Sequence, residues 1–139
     1  MGNTISSRPE DGNPLKIWDV PTLWELAEDL PVISVNIETL DELDRVAWYG
    51  ADQHSGRLTV KQFVSHSKRI DEADLTQPIL LSAEGKMFDG FHRLAKAWKL
   101  GLTHITAKQF EVNPEPLRSV DMPDYIHRTY FQDKETHES

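Results

Sequence analysis

The chain has 139 residues, 38% hydrophobic and 27% charged, which suits one soluble domain with a packed core. A formal charge of −8 withholds the broad basic surface that non-specific nucleic-acid binding needs, and the absence of cysteine removes disulfides, thiolate metal sites and cysteine nucleophiles. No apolar run reaches membrane-spanning length and no secretory leader is visible, so a cytoplasmic protein without membrane contact is expected.

In chain order, residues 1–14 are polar and read as a disordered tail. Its first six residues fit the N-myristoylation pattern, which is too short to carry weight. Residues 15–112 read as the folded domain. Ile17 and Trp18 are apolar enough to pack on it. Thr22 with Glu25 makes a capping box, Leu23, Leu26, Ala27 and Leu30 give one helical face, and Pro31 ends that helix. Residues 32–37 alternate and are β-branched, as a strand requires. Thr39 with Glu42 predicts a short helix to Trp48. Its acidic residues Asp41, Glu42 and Asp44 fall in the first turn, where the helix dipole favours them without a metal. Residues 49–58 read as a loop in which His54 is solvated. Thr59 with Gln62 opens the clearest helix. Its Val60, Phe63, Val64, Ser67 and Ile70 predict a face that packs on a sheet. Ser65 lies on the polar side, with His66 and Arg69 beside it.

Residues 78–101 organise the rest. Pro78 leads a short apolar strand, Ile79 to Leu81. Gly85 sits where a hairpin turn needs it, and Met87-Phe88 begins a return strand. A helix follows, with Phe91, Leu94, Ala95 and Trp98 on one face and Gly101 just past its end. Asp89 is the expected N-cap, and Gly90 allows another group close to the backbone. His92 and Arg93 thus fall in the first turn of a helix, where free N–H groups and the dipole favour anions. A guanidinium adds paired donors for phosphate, and an imidazole adds a donor and a proton carrier. A strand is expected at 103–110, and Lys96, Lys99 and Lys108 make this half locally basic. Residues 113–139 read as a C-terminal extension, partly disordered, whose residues 122–131 dock on the domain or on a partner.

Pro78-Ile79-Leu80-Leu81, the glycine turn and Asp89-Gly90-Phe91-His92-Arg93 with its helix resemble the ParB/sulfiredoxin superfamily over roughly residues 30–110. The Asp-Gly-x-His-Arg form is similar to that of the free-serine kinases. The resemblance implies a single α+β domain, a mixed small sheet flanked by helices. It implies a nucleotide or phosphate site built from Gly90, His92 and Arg93, with Ser65, His66 and Arg69 contributing from the preceding helix. ATP, ADP or CTP, with Mg²⁺, are the implied ligands, and Asp89 and His92 the implied catalytic groups of a small-molecule phosphotransferase or NTPase. In the kinases an early glutamate joins the site, for which Glu38 and Glu42 are the candidates, and Trp48 or Phe91 could stack on a base. No metal site made of protein ligands alone is expected. Sulfiredoxin chemistry is excluded, because Phe91 stands where the catalytic cysteine would. A ParB clamp needs a second, DNA-binding domain, for which the chain has no room. The rival reading is a non-catalytic adaptor that presents its tails to a protein partner. Nuclease activity, suggested only by family labels, conflicts with the acidic charge.

Overall fold

Residues 3–45 and 59–122 are described by a computed structural model. Its elements are β1 (Thr4–Ser6), β2 (Leu15–Asp19), α1 (Val20–Leu26), β3 (Ile33–Asn36), α2 (Val60–Glu72), β4 (Ile79–Leu81), β5 (Met87–Asp89), α3 (Phe91–Lys99), β6 (His104–Gln109) and β7 (Arg118–Val120). Strands β3-β6-β4-β5 make a mixed sheet in which only β4 and β6 run parallel. Strands β1-β2-β7 make a small antiparallel one. The result is the expected α+β domain with a small mixed sheet flanked by helices.

β4 sits between two apolar layers. Alternation along a strand sends Ile79 and Leu81 to one side, against Leu94, Ala97, Ile105 and Ala107. It sends Leu80 to the other, against Trp18, Leu23, Phe88 and Phe110. An uninterrupted apolar strand is what a site buried on both faces selects. The hairpin that follows is as expected: Gly85 has φ +83°, and its N–H donates to the Ser82 carbonyl at 2.9 Å. α3 ends in a Schellman motif. Leu102 N–H donates to Ala97 O and Gly101 N–H to Trp98 O, each at 3.0 Å, with Gly101 at φ +75°. Its Trp98, expected on the buried face, is 67% exposed; Ala97 is buried instead.

Other elements depart from the expectations. The N-terminal stretch read as a tail contributes β1 and a 3-10 turn at Pro9–Asp11, because Thr4 to Ser6 pair with Asp19 to Ile17. α1 starts before Thr22: Asp19 caps it, accepting from Thr22 N–H at 3.1 Å, with Pro21 in the first turn. It ends ahead of Pro31, and Leu26 faces solvent. The helix expected from Thr39 is replaced by 3-10 turns at Ile37–Thr39 and Asp41–Asp44, separated by the extended Leu40. Asn36 accepts from Glu38 N–H at 2.9 Å and starts this chain of turns. Trp48 and the 49–58 loop, with His54, lie outside the described residues.

α2 carries the expected capping box, Thr59 Oγ accepting from Gln62 N–H and Gln62 Oε1 from Thr59 N–H. Its apolar face does not pack on the sheet. The C-terminal end of α2 is held to α3 by Lys96 Nζ, which donates to the carbonyls of Asp71 and Ala73, and by the Lys99–Asp71 ion pair. The N-terminal half runs past α3, leaving Val60, Phe63 and Val64 exposed. In the C-terminal extension, β7 pairs with β2, and the Met122 side chain is buried.

Gly90, at the N-terminus of α3, has φ +105°, and a Cβ there would lie 2.6 Å from Ile79 Cγ2 and 3.0 Å from Ile79 Cα. At Gly85 the nearest atom would be 3.9 Å away. Gly90→Ala should therefore cost about 2–5 kcal/mol, combining backbone strain with a forced core shift. Gly85→Ala should cost about 1–2 kcal/mol, from φ alone. Urea denaturation measures both; equal losses would show that the approach to Ile79 carries no weight.

Candidate functional site

The β5 hairpin strand and α3 meet at Asp89-Gly90, and this junction opens onto a cavity of about 450 Å³. Leu94 N–H makes the first helical bond, to Gly90 O at 2.9 Å, so the amides of Phe91, His92 and Arg93 precede the helical ladder. Asn3, Arg69, Asp74, Asp89, His92 and Arg93 line the same cavity.

Each expected site residue can now be placed. Asp89 does not cap the helix. It is still in the strand, and the left-handed Gly90 occupies the N-cap position. The Asp89 carboxylate is instead held by Trp24 of α1, whose Nε1–H donates to Oδ2 at 2.7 Å. Arg93 is half-buried and donates from Nη1 to Pro78 O at 3.0 Å. That bond fixes the guanidinium and ties the start of α3 to the entry of β4; among the described residues no other hydrogen bond engages the guanidinium. Arg69 reaches the cavity from α2. His66, one turn earlier on α2, places Nδ1 3.0 Å from His92 Nε2, with the rings stacked at 16°. One ring must donate and the other accept, so the two tautomers are linked. Ser65 is exposed on α2 and is not among the cavity's lining.

Neither candidate glutamate joins the site. Glu42 is buried, pairs with Arg8, and accepts from Met87 N–H at 3.3 Å, so its role is structural. Glu38 borders a separate depression beside Leu40, Leu43 and Trp98. Phe91 is half-buried, packs against the core under α3 and also lines the cavity. The lysines that suggested a basic patch are engaged in joining elements: Lys96 and Lys99 hold the end of α2, and Lys108 donates to the carbonyls of Ala27 and Glu28. Trp24 had no motif to mark it. Its only signal in the sequence is general, that a partly buried indole N–H seeks an acceptor.

Among the described residues no group of three or more His, Asp or Glu is arranged to hold a metal ion. No described helix is long and apolar enough to cross a membrane. The chain matches no family model, and no curated protein or solved structure is significantly similar to it.

Burial lowers the affinity of both imidazoles for protons. The Arg69 charge adds to this at His66; at His92 the charges of His66 and Arg69 add, and Asp89 opposes them. Both values lie below the ordinary 6.5, so on acidification the unfolded chain takes up protons that the folded chain resists. The pair's contribution to stability is therefore complete above the ordinary value and is lost as pH falls through the folded-state values. Unfolding midpoints of the wild type and His92→Gln, followed from about pH 7.5 to about pH 5.5, should converge on acidification. Parallel curves would contradict the depressed ring.

Proposed function

We propose that this domain binds the phosphates of a nucleotide at the Gly90–Arg93 turn, in the manner of the ParB/sulfiredoxin superfamily that its Asp-Gly-Phe-His-Arg motif resembles. The observation that carries this reading is the convergence of Arg93, Arg69 and His92 on the open start of α3, within one cavity of about 450 Å³. Backbone amides at a helix start, two guanidiniums and an imidazole are donors of the kind that phosphate oxygens accept. The approach of Gly90 to Ile79 keeps the turn flush with the core, so a phosphate can reach the amides without meeting a side chain at position 90.

Asp89 extends the reading to phosphoryl transfer. Its Trp24 bond engages Oδ2, leaving Oδ1 to accept the proton of a hydroxyl nucleophile. The hydroxyl oxygen then bonds to the terminal phosphorus, the bond to the bridging oxygen breaks, and the nucleoside diphosphate leaves with the electron pair. Arg93, Arg69 and His92 stabilise the charge that develops on phosphate. Asp74 is the other carboxylate at the cavity, and it would be the group to meet a Mg²⁺ that arrives already bound to phosphate oxygens, supplying charge neutralisation there.

A second reading, a non-catalytic adaptor, is favoured by one observation: the exposed Val60, Phe63 and Val64 on the projecting half of α2. Isothermal titration with ATP, ADP, CTP and pyrophosphate, with and without Mg²⁺, separates the two. The phosphate reading expects saturable binding that Arg93→Ala weakens by about 1.5–3 kcal/mol, the range for hydrogen bonds to a charged group. Arg93→Lys, which keeps the charge but loses the fork, should fall between. Asp89→Asn should retain binding and lose turnover. Absence of binding by the folded wild-type chain would leave the adaptor reading.

A further inference from the structure

A second cavity, of about 400 Å³, lies at the opposite end of β1 and β5 from the phosphate turn. Met87 and Phe88 of β5 line it, whereas their neighbour Asp89 lines the first cavity. Its size falls in the range of small-molecule sites. The apolar part consists of Trp18, Met87 and Phe88 with Pro14, Pro114 and Pro116. Trp18 and Phe88 pack with ring centroids 4.9 Å apart, and the Trp18 Nε1–H is satisfied by Pro114 O at 2.9 Å. The indole thus offers a ligand only apolar surface.

The polar lining is balanced, with Arg8, Lys16 and Lys86 against Asp11, Glu84 and Glu115. Most of these groups are already committed. Arg8 is clasped by Asp41 and Glu42, Lys86 Nζ lies 2.6 Å from Asp11, and Asn113 Nδ2 donates to both Glu84 oxygens at 2.9 Å. Lys16 N–H donates to Ser7 Oγ at 2.9 Å, but among the described residues no hydrogen bond or ion pair engages the Lys16 ammonium or the Glu115 carboxylate. Lys16 shares its face of β2 with Trp18, two residues on, so its ammonium rises from beside the apolar floor. Walls fixed by hydrogen bonds, an aromatic floor and one uncommitted charge of each sign define a ligand. A phosphate or simple anion would meet Glu115, and a simple amine would meet Lys16.

We propose that this cavity binds a small zwitterion with an apolar body, of the size of a free apolar amino acid or dipeptide, its carboxylate toward Lys16, its ammonium toward Glu115 and its side chain on Trp18 and Phe88. The residues that would hold the zwitterion are distinct from those of the phosphate turn.

The test uses the full chain, isothermal titration and three probes: L-phenylalanine, 3-phenylpropionate without the ammonium, and phenethylamine without the carboxylate. L-Phenylalanine should bind saturably, and each half-ligand about tenfold or more weakly. Lys16→Ala should erase the advantage of L-phenylalanine over phenethylamine, and Glu115→Gln its advantage over 3-phenylpropionate. Both residues are exposed, so the variants should keep the wild-type melting temperature. Arg93→Ala should leave L-phenylalanine binding unchanged, which separates this site from the phosphate reading. No saturable binding at millimolar L-phenylalanine, a half-ligand that binds equally well, or indifference to both substitutions would overturn the proposal.

Discussion

The contact between Gly90 and Ile79 sets the geometry on which the candidate site depends. Ile79 is fully buried on one face of β4, and the Gly90 backbone lies directly against it. A core side chain therefore forms the floor beneath the turn. The left-handed conformation at Gly90 turns the chain sharply from β5 into α3 and directs the helix start toward the cavity. Arg93 then secures the arrangement through Pro78 O, the carbonyl just ahead of Ile79. This contact and this hydrogen bond add to the β4–β5 pairing and to the packing of Leu94 and Ala97 on Ile79 and Leu81.

The outer layers are tied to this core electrostatically. Arg8 bonds to Asp41 and Glu42, Arg45 to Glu10, and Glu42 in turn receives Met87 N–H from β5. The pairing with Arg8 holds the Asp41 carboxyl below its usual range, and that with Arg45 does the same for Glu10. Without Arg8, the buried Glu42 would keep only the 3.9 Å contact with Arg45 and the Met87 N–H, and a weakened buried ion pair is costly. The N-terminal segment is therefore joined to the domain by specific contacts despite its polar composition.

What the sequence disclosed was local. Thr59 and Gln62 are three residues apart, and their reciprocal cap formed as the spacing implied. The β4 hairpin and the glycine ending of α3 are also written within a few residues. What it concealed was pairing at a distance. Trp24 and Asp89 are 65 positions apart, and no periodicity links an indole on one helix to a carboxylate on a strand end. β1 is three residues long, two of them polar, too short to show alternation, and exists because β2 offers it an edge. The face of α2 illustrates a different limit. Apolar spacing identified which residues share a side, but spacing cannot state whether another element arrives to cover that side. At the cavity, the motif places Asp89, Gly90, His92 and Arg93, and α2 adds Arg69, whereas Asn3 and Asp74 come from segments no motif marks and Ser65 lies outside the lining.

β5 is only three residues long, yet Met87 and Phe88 border one cavity and Asp89 the other. A wall shared in this way makes thermodynamic linkage a matter of geometry. If a ligand on the Phe88 side displaces the strand, it alters the position of Asp89 and hence the affinity of the opposite cavity. Reciprocity then requires the second ligand to change the affinity of the first by the same factor. Glu42 holds Met87 N–H at one end of that strand and Trp24 holds Asp89 at the other, so any such displacement must act against both bonds.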